Sequence, residues 1–103
     1  MKQVELIYDL DCPNKEQART NLQRAFSEAG IPAEWTEWDR GDLSSPSHVQ
    51  LYGSPTILVD GEDVAGEKPS EEVSSCRLYV DSNGEYGGAP SVEAILKALR
   101  RST

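Results

Sequence analysis

Cys12, Cys76 and His48 are the side chains of this 103-residue chain best suited to nucleophilic or ligand chemistry. A thiolate, not a thiol, attacks electrophiles and binds soft metals. A cysteine that follows a strand and opens a helix meets unpaired backbone N–H groups and the positive end of the helix dipole. Both favour the thiolate, and helix-N-terminal cysteines fall from about 8.5 to roughly 3.5–7.5. Asp9, Asp11 and Glu16 lie close in sequence to Cys12 and oppose a second negative charge, while Lys15 compensates. These residues leave the sign of the net shift open. Two cysteines and one histidine fall short of a four-ligand zinc site, so no metal is assigned. Cys12 and Cys76 together would still supply two thiolates to mercury or copper(I). His48 could act as a base for Cys12, but a lone histidine among serines reads first as a solvated helix side chain.

The elements that must position Cys12 follow from periodicity. Val4 to Tyr8 is a short apolar, strand-forming run, followed by Asp9, Leu10 and Asp11 and then Cys12-Pro13. Proline suits a first helical turn, where its missing N–H has no intrahelical partner. Ala18, Leu22, Ala25, Phe26 and Ala29 then recur at helical spacing, and Gly30-Ile31-Pro32 stops the helix. Residues 33 to 39 read as a second strand carrying Trp35 and Trp38 on opposite sides, one for the core and one for a surface. Arg40-Gly41-Asp42 begins a loop, and Pro46 opens a short helix capped by Ser45 with Val49, Leu51 and Tyr52 as its apolar members.

Thr56 to Val59 and the residues after Asp60-Gly61 read as a hairpin, since Asp-Gly between strand-like runs favours a tight turn. That turn sets Ile57 opposite Val64 and Thr56 opposite Ala65. Residues 66 to 75 form a polar insertion, 76 to 80 a further strand, and 81 to 89 a Gly-rich loop without EF-hand spacing. Ser91 caps a last helix with Val92, Ile95, Leu96 and Leu99 on one face and Arg100 and Arg101 in its final turn. Alternating strands and helices with a late hairpin imply an α/β fold around a mixed sheet, in a single domain spanning 1–103.

Composition narrows the partners. Ten Lys and Arg against 18 Asp and Glu leave a net charge of −8, the wrong balance for tracking phosphates, so no nucleic-acid partner is expected. No apolar run reaches the roughly 18 residues of a membrane span, and no membrane partner is expected. Met1 to Leu6 lacks the apolar stretch of a signal peptide, so a cytoplasmic location is expected. No Gly-x-Ser-x-Gly elbow supports serine hydrolysis.

Cys12-Pro13 at a helix start, Gly53-Ser54-Pro55-Thr56, the Asp60-Gly61 hairpin and a closing helix together resemble the thioredoxin/glutaredoxin superfamily. The resemblance covers nearly the whole chain and is strongest over 4–30 and 53–66. More narrowly, CPN, GSPT, VDG, SCRLY and APSVE look like the small thioredoxin-like (seleno)protein group, some members of which occur in mercury-resistance contexts. The resemblance implies a thioredoxin-like α/β fold: a mixed central sheet flanked by helices, with an insertion before the last helix. It places Cys12 at the nucleophile and Pro55 at the cis-proline, although cis is only about 5–6% of X–Pro bonds in general. It also implies that the backbone of Ser54 pairs with a bound peptide or glutathione, and that Pro13 and Lys15 belong with Ser54 and Pro55 to the substrate site.

Lys15 stands where Cys-x-x-Cys would carry its second thiol, so no local disulfide can close. Cys76 is then the internal candidate for resolution. It is within reach of Cys12 if the insertion folds back, and out of reach if Cys76 starts a strand paired with 56–60, since a disulfide needs Cα atoms within about 7 Å. The expected function is thiol–disulfide exchange by Cys12, resolved by Cys76, glutathione or another protein thiol. No bound cofactor is expected beyond glutathione as co-substrate, and the protein is expected to be a monomer. The alternatives are a non-catalytic thioredoxin-fold binding module and a soft-metal thiolate protein.

Overall fold

Alternation along two neighbouring strands decides which side of the sheet each residue faces. In the computed structural model, which describes residues 3–71, 77–81 and 83–101, β1 (Val4–Tyr8) runs antiparallel to β3 (Thr56–Val59). Val4 faces Val59 and Leu6 faces Ile57. These four form a core with α1 (Lys15–Ala29) and α2 (Val92–Arg101), through Ala18, Leu22, Ala25, Phe26, Ile95, Ala98 and Leu99. The intervening residues Ile7 and Leu58 point to the other face, where Val49 and Tyr52 cover them. Leu6, Leu22, Ile57 and Ile95 are fully buried. Truncating such a side chain to alanine costs about 2–5 kcal/mol.

The described residues make a mixed α/β architecture with a four-stranded sheet in the order β2-β1-β3-β4 and two α-helices. β2 (Thr36–Asp39) is parallel to β1, and β4 (Glu62–Asp63) is antiparallel to β3. Both α-helices pack on one face of the sheet, and a 3₁₀ turn over Ser47–Leu51 covers the other. The hairpin register matches the expectation: Val59 faces Glu62, Leu58 faces Asp63, and the Val64 N–H reaches the Ile57 carbonyl at 3.0 Å. Asp60 and Gly61 have φ of 52° and 83°, the left-handed pair that a two-residue turn requires.

Several boundaries differ from the sequence reading. β2 begins at Thr36 rather than Ala33, because pairing with β1 starts at Glu5–Thr36 and Trp35 turns aside to stack on Phe26 at 5.9 Å. Trp38 goes to the opposite face and donates its indole N–H to the buried Glu5 at 2.8 Å, so each tryptophan packs, partly buried, against a different core cluster. The short helix is 3₁₀ and ends before Tyr52. Ser45 does not cap it, because its hydroxyl donates to the Asp39 carbonyl at 2.9 Å. In the 76–80 segment the strand is β5 (Tyr79–Val80), which pairs with β6 (Tyr86–Gly87) inside the expected Gly-rich loop and not with the main sheet. Ser91 caps α2 as expected, accepting the Ala94 N–H at 3.1 Å. No helix among the described residues is long and apolar enough to cross a membrane.

Candidate functional site

The chain leaves β1 through a tight turn that fixes Cys12. The Cys12 N–H donates to the Asp9 carbonyl at 3.0 Å, and the Cys12 carbonyl accepts the Lys15 N–H at 3.5 Å. Helical geometry starts only at Lys15, with Asn14 in the N-cap position and making no side-chain cap bond. Cys12 and Pro13 therefore stand ahead of the first helical turn, not within it. The first carbonyl of the helical ladder is that of Asn14, which accepts the Ala18 N–H at 3.1 Å. The helix dipole weakens beyond the first turn, so it acts on Cys12 from farther away than the sequence implied. Cys12 is a free thiol and is buried, 6% exposed. Pro13 is exposed, and Lys15 folds back so that its ammonium donates to the Leu10 carbonyl.

Two of the carboxylates that the sequence set against a thiolate have cationic partners. Arg40 Nη1 holds both carboxylate oxygens of Asp9, at 2.9 and 3.0 Å, with the two side chains 13% and 21% exposed. Glu16 pairs with Arg19, which also forks onto Glu37. Asp11 stays exposed.

Ser54 and Pro55 lie against this turn. The Asp9 N–H donates to Ser54 Oγ at 2.9 Å, so one residue bonds to both Cys12 and Ser54. The Ser54–Pro55 peptide is cis, and both residues are buried. The structure thus brings Cys12, Pro13, Lys15, Ser54 and Pro55 into one locality. Cys76 lies outside the described residues.

The neighbour of Cys76 is described, and it sits on the same locality. Arg77 donates its backbone N–H to the Ser54 carbonyl at 3.0 Å, and the Tyr79 hydroxyl donates to the Pro55 carbonyl. The Arg77 guanidinium reaches Thr56 Oγ1 at 2.9 Å, Asp63 at 2.8 Å and Glu67 at 2.6 Å, and lies 4.4 Å from the Tyr79 ring centre. Its side chain is 9% exposed and that of Asp63 is 0% exposed. Burial opposes the charge on Arg77, but its hydrogen bond to the Asp63 carboxylate, together with Tyr79 and the charges of Asp63 and Glu67, outweighs that, so the guanidinium is held above its ordinary value. Burial pushes the Tyr79 phenol well above its ordinary value, with Arg77 opposing.

Comparison with family models, curated proteins and solved structures found no match. The site is therefore read from its own chemistry.

His48 keeps a solvent-accessible side chain, 39% exposed, and is also bonded across the fold. Its Nε2 shares a 2.8 Å hydrogen bond with the buried Glu5, which also takes the Trp38 indole. Among the described residues no group of three or more His, Cys, Asp or Glu is arranged to hold a metal ion. A groove of about 760 Å³ runs between α1, α2 and the β5–β6 hairpin, past Gln17, Asn21, Tyr79, Tyr86 and Lys97. Among the described residues its walls carry neither a thiol nor an imidazole.

Sequence reasoning missed Arg40, Arg77 and Asp63. A signal for Asp63 was available. The hairpin register sets it opposite Leu58, an inward position where a carboxylate needs a cation. Arg40 gave no such signal, because its partner Asp9 is distant in sequence and meets it only through β1–β2 pairing.

Proposed function

We propose that this chain is a thioredoxin-like thiol protein in which Cys12 carries out thiol–disulfide exchange. The reading is supported by the path β1-α1-β2 followed by β3-β4-α2, by the sheet order β2-β1-β3-β4, and by the cis peptide at Ser54–Pro55. The observation that carries it is the pair of backbone hydrogen bonds at Asp9, its carbonyl accepting the Cys12 N–H and its N–H donating to Ser54 Oγ, which seats the thiol turn against the cis-proline turn. In the reaction the Cys12 thiolate attacks one sulfur of a disulfide. A Cys12 mixed disulfide forms, and the other sulfur leaves as a thiolate that takes a proton from water. A second thiol then resolves the mixed disulfide. An external one such as glutathione attacks the outer sulfur, forms a new disulfide with it and frees the Cys12 thiolate, whereas Cys76 attacks the Cys12 sulfur and expels the outer sulfur as a thiolate. Where Cys76 does so, the chain ends with a Cys12–Cys76 disulfide and an external dithiol must reduce it.

The test is mass spectrometry of the chain mixed with excess low-molecular-weight disulfide. Cys12→Ser is expected to abolish adduct formation, and Cys76→Ser to let the Cys12 adduct accumulate. Absence of both an adduct and a Cys12–Cys76 disulfide on the wild-type chain, with no adduct on Cys76→Ser either, would overturn the reading.

The burial of Cys12 at 6% exposure favours a second reading, a non-catalytic binding module on the same scaffold. That reading requires Cys12→Ser to leave every measurable behaviour of the protein unchanged.

A further inference from the structure

The edge of β3 ahead of Thr56 has an occupant from the chain itself. β4 is only two residues long, and the chain turns away at Val64 and Ala65. Beyond that point Ser54 and Pro55 would present backbone carbonyls at a sheet edge, next to the turn that carries Cys12. Such an edge is where an extended polypeptide adds itself as a further strand. Here both carbonyls are taken: Ser54 accepts the Arg77 N–H at 3.0 Å, and Pro55 accepts the Tyr79 hydroxyl. Arg77 is not a loose cover. Its guanidinium is sunk between Thr56, Asp63 and Glu67 with the Tyr79 ring beside it, and Asp63 is fully buried. Lifting the segment would strand a buried carboxylate without its cation.

We propose that Arg77 is a specificity-determining residue: it latches the chain's own 77–79 segment onto the Ser54–Pro55 edge, so that Cys12 admits small disulfides and excludes extended polypeptides. This rests on the thiol-exchange reading of Cys12. The step itself is unchanged. Cys12 thiolate attacks the disulfide, a mixed disulfide forms and one thiolate leaves. What the latch decides is which disulfides approach. A compact disulfide needs no backbone pairing with Ser54, whereas an extended peptide needs the carbonyls that Arg77 and Tyr79 occupy.

The test uses two activated disulfides with the same thiopyridyl leaving group, one built on cysteamine and one on the central cysteine of an extended peptide. Release of the thiopyridone reports the rate. The wild-type chain is expected to favour the cysteamine probe by at least about tenfold relative to a free thiol treated in the same way. The paired variant Arg77→Met with Asp63→Asn removes both buried charges together, and its folding is checked by circular dichroism. It is expected to bring the two probes to within about threefold of each other. Tyr79→Phe, which deletes only the hydroxyl on Pro55, is expected to narrow the preference part of the way, and it serves if the paired variant does not fold. Equal wild-type rates overturn the latch and leave the exchange reading standing. A preference unchanged in a folded variant does the same. Failure of both probes to label Cys12 overturns the exchange reading and the latch with it.

Discussion

Cys12 and Ser54 are joined through a single residue: Asp9 accepts the Cys12 N–H at 3.0 Å and donates its own N–H to Ser54 Oγ at 2.9 Å. The position of the thiol is therefore set by a side chain just ahead of β3 as well as by its local turn. The Asp9 carboxylate is meanwhile held by Arg40, which ties the same turn to the end of β2. Three segments distant in sequence converge on four residues.

Ser54→Ala is expected to lower stability by about 1–3 kcal/mol, because the part-buried Asp9 N–H loses its acceptor. In a domain of this size, each kcal/mol moves the thermal midpoint by about 4–8 °C. The freed turn is also expected to let iodoacetamide reach Cys12 faster. An unchanged midpoint together with an unchanged alkylation rate would show that the bond does not hold the turn.

Arg40 and Asp9 are expected to be strongly coupled. Breaking a buried ion pair from one side costs about 3–5 kcal/mol, and partial exposure of both side chains here brings the expectation to about 1–3 kcal/mol. Arg40 Nε is buried with no hydrogen-bond partner, so Arg40→Met also removes an orphaned donor. The double variant Arg40→Met with Asp9→Asn should therefore lose less than the sum of the two single losses. Urea melts of the four proteins measure the coupling, and strict additivity would sink the idea.

What could be read from the sequence, and what could not, divides along the distance between partners. The two helices, their buried faces, the Asp60–Gly61 register and the Ser91 cap all depend on neighbours a few residues apart, and the structure has them. The α/β class and mixed sheet follow from the same patterns. Asp9 with Arg40, Arg77 with Ser54 and Asp63, and His48 with Glu5 are pairings across the fold, and no local periodicity announces them. The helix start was misplaced for a related reason. Pro13 is compatible with a first turn, but the Cys12–Asp9 bond closes a separate turn first.

Stability is expected to fall in acid through Glu37. The Arg19 hydrogen bond, helped by the Trp35 indole, holds the Glu37 carboxyl below its ordinary value of about 4.3. As pH falls the unfolded chain takes up this proton before the folded one does. The contribution is therefore fully present above the ordinary carboxylate range and lost as pH drops through the folded value. Asp42, held low by Ser44, adds the same sign. Urea midpoints between about pH 7 and pH 3 should show a shallower decline for Glu37→Gln than for the wild type.

The alkaline limb is expected to belong to Tyr79. Burial holds its phenol well above the ordinary value of about 10, and burial raises Tyr52 as well. Between the two values the folded state keeps a proton that the unfolded state has lost. Stability is then complete below about pH 10 and falls above it, by about 1.4 kcal/mol per pH unit for each such phenol. Tyr79→Phe should flatten the decline while lowering stability at neutral pH through the lost bond to Pro55. An identical alkaline slope in the variant would assign the limb elsewhere.

A side chain on Gly88 is expected to displace the Asn14 amide. A Cβ on Gly88 would stand 2.2 Å from Asn14 Cγ and Nδ2 and 2.6 Å from Oδ1. The Asn14 amide would have to move, and overpacking of this kind costs about 1–3 kcal/mol. Asn14 makes no side-chain cap bond to α1, so Asn14→Ala should cost little by itself. Combined with Gly88→Ala it should recover most of the loss, because the colliding amide is gone. Asn14 sits two residues after Cys12, so Gly88→Ala should also alter Cys12 alkylation, and the double variant should restore it. Melts and alkylation rates that fail to recover together would show that the segment after β6 does not brace the Cys12 turn.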